Sequence, residues 1–266
     1  MLLELVRQAR RRRTLVSLAA VVLLPVIVVV AIAVNGGPGN GNGSADFIDI
    51  ASRSGLNAAF FVLVATSQFL LVVIVALFAG DSIASEAQWG SLRYLLVRPI
   101  GRARLLRVKL SAAALYGIGA AVLLPLVGAI AGTIAFGWHP VTTPVGGGFS
   151  AAEGVWRLVL SDGYVIAMMG CVVGLAFLFS TMTDAPLGAV GGAVVLVVIS
   201  QVLDQVTALG VVRTWLPTHY WFSWTELLQT PMVTDQVARG LISAVPWTIV
   251  PILLAFLRFR RKDILS

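Results

Sequence analysis

Six stretches of this chain stay apolar long enough to cross a membrane, with short polar segments between them. A helix rises about 1.5 Å per residue, so about 20 apolar residues cover a hydrocarbon core about 30 Å thick. Residues 15–34, 58–79, 110–136, 164–181, 187–203 and 241–257 meet or approach that length. The pattern predicts an all-α integral membrane protein, one transmembrane domain over residues 1–266. Between the spans lie a Gly/Asn-rich loop (35–44), a charged segment (80–109), a Gly/Pro-rich loop (138–148), a very short turn (182–186) and an aromatic-rich stretch (204–240).

Composition agrees: 58% of the 266 residues are hydrophobic and 12% charged, which excludes a soluble globular domain. Lys and Arg outnumber Asp and Glu by 19 to 12. In a soluble chain that excess would suggest nucleic acid; here the basic residues flank apolar runs and report topology, so no nucleic-acid partner is expected. Arg7 and Arg10 to Arg13 precede the first span. Arg93, Arg98, Arg102, Arg104, Arg107 and Lys109 lie between the second and third, and Arg258, Arg260, Arg261 and Lys262 follow the sixth. The alternate segments hold only Arg53, Arg157, Arg213 and Arg239. Positive flanks stay in the cytoplasm, so both termini are expected there. Cys171, the single cysteine, offers neither a disulfide framework nor a metal cluster.

A basic start, an apolar run and Ala31-Ile32-Ala33 have the outline of a cleavable signal, and Arg11 to Arg13 faintly resemble a twin-arginine signal. The run exceeds the roughly 7–15 residues of a secretory h-region, and its loss would leave an odd number of spans, so it reads as an anchored span. Residues 1–13 fit an interfacial amphipathic helix and a plain basic flank equally well. Asn42-Gly43-Ser44 is formally a sequon, but reads as part of a flexible loop.

No catalytic site emerges, and no cofactor is expected in this chain. Neither Lys109 nor Lys262 sits in a phosphate-cradling Gly-x-x-x-x-Gly-Lys-Ser/Thr pattern. His139 and His219 stand in different loops without ligand spacing, and no Gly-x-Ser-x-Gly elbow is present. Asp81, Asp162, Asp184 and Asp204 fall at predicted span ends, where helix-end carboxylates are ordinary and a proton or cation relay is the alternative. Ser67 and Gln68 in the second span, with Ser200 and Gln201 in the fifth, are polar without charge; they suit helix packing or the lining of a substrate path.

Residues 81–101 carry the strongest signal. At 100° per residue Glu86, Gly90 and Arg93 share one stripe, while Leu92, Leu95 and Leu96 lie roughly opposite. This describes an amphipathic helix on the membrane surface, its charged, Gly-notched side facing the cytoplasm. Arg98-Pro99 ends it, and Arg102, Arg104, Arg107 and Lys109 are placed to snorkel to head groups as the third span begins.

At these residues the chain resembles the permease subunits of type-2 ABC exporters, the ABC-2 family. Their first cytoplasmic loop reads approximately Glu, three residues, Gly-Thr/Ser-Leu, then Leu-Leu-x-Arg/Lys-Pro, a nearby Arg, and a Lys entering the third span. Glu86, Gly90, Ser91, Leu92, Leu95, Leu96, Arg98, Pro99, Arg102 and Lys109 match. Trp215-Leu216-Pro217-Thr218, Tyr220, Trp221 and Trp224 look like the short external helices of that family, and fit an interfacial aromatic belt almost as well.

The resemblance implies a half-transporter in a bacterial cell membrane. Two permease copies, identical or related, would pair with two ABC-type ATPase subunits that hold ATP and Mg²⁺. The coupling helix would contain Glu86, Gly90, Leu92, Arg93, Arg98, Pro99 and Arg102. Ser67, Gln68, Ser200 and Gln201 would lie near the translocation path or dimer seam. The external loops are shorter than those of relatives with large external domains. Two other readings stay open: a six-span secondary transporter or channel working without an ATPase, and an intramembrane enzyme. Cargo is not encoded in any of these features.

Overall fold

The computed structural model describes residues 8–9, 12–35, 47–88, 101–143 and 147–261. Its elements in chain order are α1 (Arg12–Asn35), the short α2 (Phe47–Ala51), α3 (Gly55–Ser67), α4 (Leu70–Gln88), α5 (Arg102–Phe136), strands β1 (Val141–Thr142) and β2 (Gly148–Phe149), α6 (Ala151–Met182), α7 (Pro186–Gln205) and α8 (Asp235–Arg261). Two 3₁₀ helices, Thr207–Trp215 and Ser223–Leu228, lie between α7 and α8. Among the described residues six helices are long and apolar enough to cross a membrane: α1, α4, α5, α6, α7 and α8. The all-α, six-span architecture is therefore as expected.

Several boundaries differ from the apolar runs. The second span is two helices, with α-helical hydrogen bonding interrupted at Gln68 and Phe69. The charged segment does not begin a new helix at residue 81; α4 continues from the membrane through Asp81 and Glu86 to Gln88. The third span starts at Arg102, eight residues before its apolar run, and α6 starts at Ala151, thirteen before its own. In α4 the helix continues because neighbouring helices receive its polar side chains, whereas an apolar run records only where none are present.

Local chemistry explains the starts. Ser54 and Ser150 accept the N–H groups of Leu56 and Glu153 (both 3.3 Å) as side-chain caps of α3 and α6. Pro186 opens α7, where a missing N–H costs nothing. Pro25, Pro125, Pro246 and Pro251 sit inside helices without ending them, as bilayer-spanning helices allow.

At the centre stand α4 and α6, with 78% and 67% of their most apolar stretches buried; the figure is 28% for α1 and α7 and 22% for α8, whose large apolar side chains face outward. Two seams depend on missing side chains. Gly128 and Gly132 of α5 meet α3 at the four-residue spacing that lets membrane helices approach closely. A Cβ at Gly132 would lie 2.6 Å from Ala58 Cβ and 2.9 Å from the Gly55 oxygen, and one at Gly55 would lie 2.5 Å from the Thr133 nitrogen. The same spacing recurs at Gly170 and Gly174, where α6 meets α8; a Cβ at Gly174 would come within 2.8 Å of the Thr248 oxygen.

The end of the bundle near the β1–β2 hairpin, antiparallel with Val141 opposite Phe149, closes on polar contacts. Asn57 donates to the oxygens of Ile50 (2.8 Å) and Thr142 (3.0 Å) and accepts the Thr142 N–H. Trp221 and Trp224 are buried there, so these two do not form a lipid-facing belt, while Trp215 remains exposed. Tyr164 donates to the Tyr220 oxygen (2.7 Å), tying α6 to the aromatic stretch. Tyr164→Phe should lower stability by about 1 kcal/mol, the usual value of one such bond, read as a modest drop in the midpoint of thermal unfolding in detergent; no change would remove this tie from the account.

Candidate functional site

The densest buried polar cluster lies at the opposite end, where α1 begins, α4 ends, α5 begins and α6 ends. Glu86 is 2% exposed and Lys109 3%. The Lys109 ammonium stands 2.6 Å from Glu86 Oε1 and donates also to the Ser82 oxygen at 3.0 Å. One turn earlier on α4, Asp81 pairs with Arg13 of α1. Ser180 of α6 accepts the N–H groups of Ile83 and Ala84, both at 3.0 Å. Three neighbours therefore hold the last two turns of α4 through directed polar contacts: α1, α5 and α6.

Spacing explains the cluster. Asp81, Ser82, Ser85 and Glu86 lie at the i, i+1, i+4, i+5 positions of one helical face. Lys109 sits two turns inside α5, where its stem reaches back to that face, while Arg104 and Arg107 stay exposed. A buried ion pair gains little overall, because desolvation offsets attraction, but losing one member is severe. The chemistry suits a fixed joint.

Two sequence expectations are corrected here. Glu86 does not lie on a stripe facing the cytoplasm; it turns inward to Lys109, because α4 is continuous and its orientation is set by the bundle. Lys109 does not snorkel to head groups, since its ammonium already has a carboxylate within the protein. Arg102 opens α5 and donates to the Arg260 oxygen at 3.2 Å, linking α5 to the end of α8. Gly90, Leu92, Arg93, Arg98 and Pro99 lie outside the described residues.

Of the four polar residues of the second and fifth spans, Gln68 and Gln201 meet. Gln68, at the interruption between α3 and α4, is exposed, and its carbonyl oxygen accepts the Gln201 side-chain amide at 3.3 Å. Ser200 points inward and shares a hydrogen bond with Thr218 (2.7 Å). Ser67 is buried, its hydroxyl without a hydrogen-bond partner among the described residues. Among the aspartates, Asp81 and Asp204 are paired, Asp204 with His219 (2.6 Å) and Arg213 (3.4 Å). Asp162 is not at a helix end; it lies eleven residues into α6 and is buried.

Arg157 was legible only as a loop cation. It is a buried clamp of α6, donating to the oxygens of Leu227 and Gln229 (both 2.7 Å) and to Glu153 (2.6 Å), with its guanidinium 4.5 Å over the Phe149 ring. Glu153 four residues before Arg157 was the available signal.

Six helices long and apolar enough to cross a bilayer, with Glu86, Lys109 and Arg157 buried inside the bundle, define a multi-pass membrane protein. Comparison with known families agrees with the family resemblance. The chain belongs to the ABC-2 family of transporter proteins, whose family model matches residues 6–264. It is thus a membrane permease component of an ABC transporter. No curated protein matches it.

Proposed function

We propose that this chain is the translocating half of an ATP-driven exporter, moved by a separate ATPase subunit that docks on segment 89–100. The observation that carries the reading is the polar joint from which this segment springs. Both helices flanking the segment are locked there, α4 by Lys109 and Ser180, α5 by Glu86. A displacement of the segment is then passed to the spans and is not absorbed by local fraying. In this reading Glu86 is a positioning residue, holding the coupling segment's root, and Gly90, Leu92, Arg93, Arg98 and Pro99 meet the ATPase, with Arg102 at the segment's far root. The basic flanks support a cytoplasmic position for the joint and both termini. ATP and Mg²⁺ belong to the partner. Exposed Gln68 and half-buried Gln201 form a polar spot on an otherwise apolar face, which suits a seam with a second permease copy or the path beside it.

Purification of the tagged chain in mild detergent, with mass spectrometry and an ATPase assay, tests the proposal. A stoichiometric P-loop ATPase subunit is the expected companion. Recovery of the chain alone from several detergents and from nanodiscs, without ATP hydrolysis, would overturn the pairing and favour a secondary transporter or channel.

A further inference from the structure

Between α5 and α6, at the hairpin end of the bundle, lies an apolar groove of about 540 Å³, within the roughly 300–1,000 Å³ typical of small-molecule sites. Its walls include Leu126, Ile130 and Ile134 of α5, Val155 and Val159 of α6, and Trp138 just beyond α5. Ile134 is 83% exposed, and Val159 and Trp138 more than half, so the groove opens sideways on the lipid-facing surface. The Thr133 hydroxyl in the lining is already committed to the Ala129 oxygen at 2.7 Å.

Asp162 also lines this groove and is 8% exposed. Its Oδ1 is buried without a hydrogen-bond partner, and among the described residues no Lys, Arg or His pairs with the carboxylate. It lies about 16 Å along α6 from Ala151 and about 7 Å deeper than the Arg157 clamp, at 1.5 Å per residue. A carboxylate at the edge of hydrocarbon without a counter-charge costs several kcal/mol, a cost relieved by protonation or by a bound cation.

We infer that this groove binds a lipophilic organic cation drawn from the surrounding bilayer, its charge meeting Asp162 and its apolar body covering the Ile130, Ile134 and Val159 walls. A lipid tail would fill the same space and leave the carboxylate unanswered. A zwitterionic head group would bring its phosphate beside Asp162 with no cation in the groove to receive it. The inference stands on α5 and α6 alone and is independent of the ATPase pairing.

The test is equilibrium binding of radiolabelled tetraphenylphosphonium to the full chain in phosphatidylcholine nanodiscs, with partition into empty discs subtracted. The anion tetraphenylborate, of the same shape, is the control. Saturable binding of about one cation per chain is expected. Asp162→Asn should weaken it at least tenfold, and Asp162→Glu should stay within a few-fold of the parent. Ala129→Trp, which fills the groove and leaves the carboxylate in place, should abolish it and serves if Asp162→Asn does not yield monodisperse protein. Absence of saturable binding by the parent chain, equal binding of tetraphenylborate, or undiminished binding by either Asp162→Asn or Ala129→Trp would overturn the inference.

Discussion

Lys109→Met lowers the stability of the folded chain by about 3–5 kcal/mol, the usual consequence of removing one member of a buried ion pair, and adding Glu86→Gln recovers most of that loss. Methionine keeps the volume and length of the lysine stem but removes the ammonium that stood 2.6 Å from the buried Glu86 carboxylate. Neutralising both positions removes the charges together, so desolvation no longer opposes folding. Glu86→Lys would set two ammonium groups in the same buried space and should be the most damaging single change at the joint. Thermal unfolding in detergent of both single variants and the double variant measures the coupling. Additive losses would mean that the pair is incidental to the fold, and the joint could not then be the root of the coupling segment. Restoration of stability without restoration of transport would separate the mechanical role of the charges from their structural one.

Gly132→Leu should be comparably disruptive for the opposite reason, since it adds atoms where none fit. Even a Cβ there would meet Ala58 Cβ at 2.6 Å and the Gly55 oxygen at 2.9 Å, and the second of these is backbone that cannot step aside. Overpacking of this kind costs about 1–3 kcal/mol for small additions and more for large ones, so Gly132→Ala should be intermediate. The matched control lies on the same helix: a Cβ at Gly119 meets nothing within 4 Å. Gly119→Ala should therefore leave the unfolding midpoint nearly unchanged. Equal effects at Gly119 and Gly132 would show that α5 is sensitive to helix propensity and not to its approach to α3.

The number of spans was legible because a bilayer constrains length and polarity residue by residue, so 15–34 and 187–203 announce α1 and α7 with little error. The inner helices were less so. An apolar run ends at the first charged side chain, yet α4 passes through Asp81 and Glu86 because Arg13 and Lys109 wait on other helices, 68 and 23 residues away in sequence. Treating residues 81–101 as an isolated amphipathic helix gave Glu86 a direction that the continuous α4 does not permit. Similarly Asp162 read as a span-end group since the apolar run began only at Tyr164, whereas Ser150 caps α6 at Ala151. The interruption at Gln68 and Phe69 had no glycine or proline to mark it, while four prolines inside helices marked no break. What did carry over was pairing: Ser67-Gln68 and Ser200-Gln201 were singled out separately, and the fold sets Gln68 against Gln201.

Without that interruption, residues 55–88 would make one rod of 34 residues, stiff over its whole length. As built, two arms meet at Gln68 and Phe69, and each answers to a different anchor. One arm is pressed against α5 along the glycine seam, and the other is gripped by Lys109 and Ser180. In the proposed coupling, a displacement entering at Gln88 would run along α4 to Leu70, where the hydrogen bond from the Gln201 amide to the Gln68 backbone oxygen (3.3 Å) is a contact to α7.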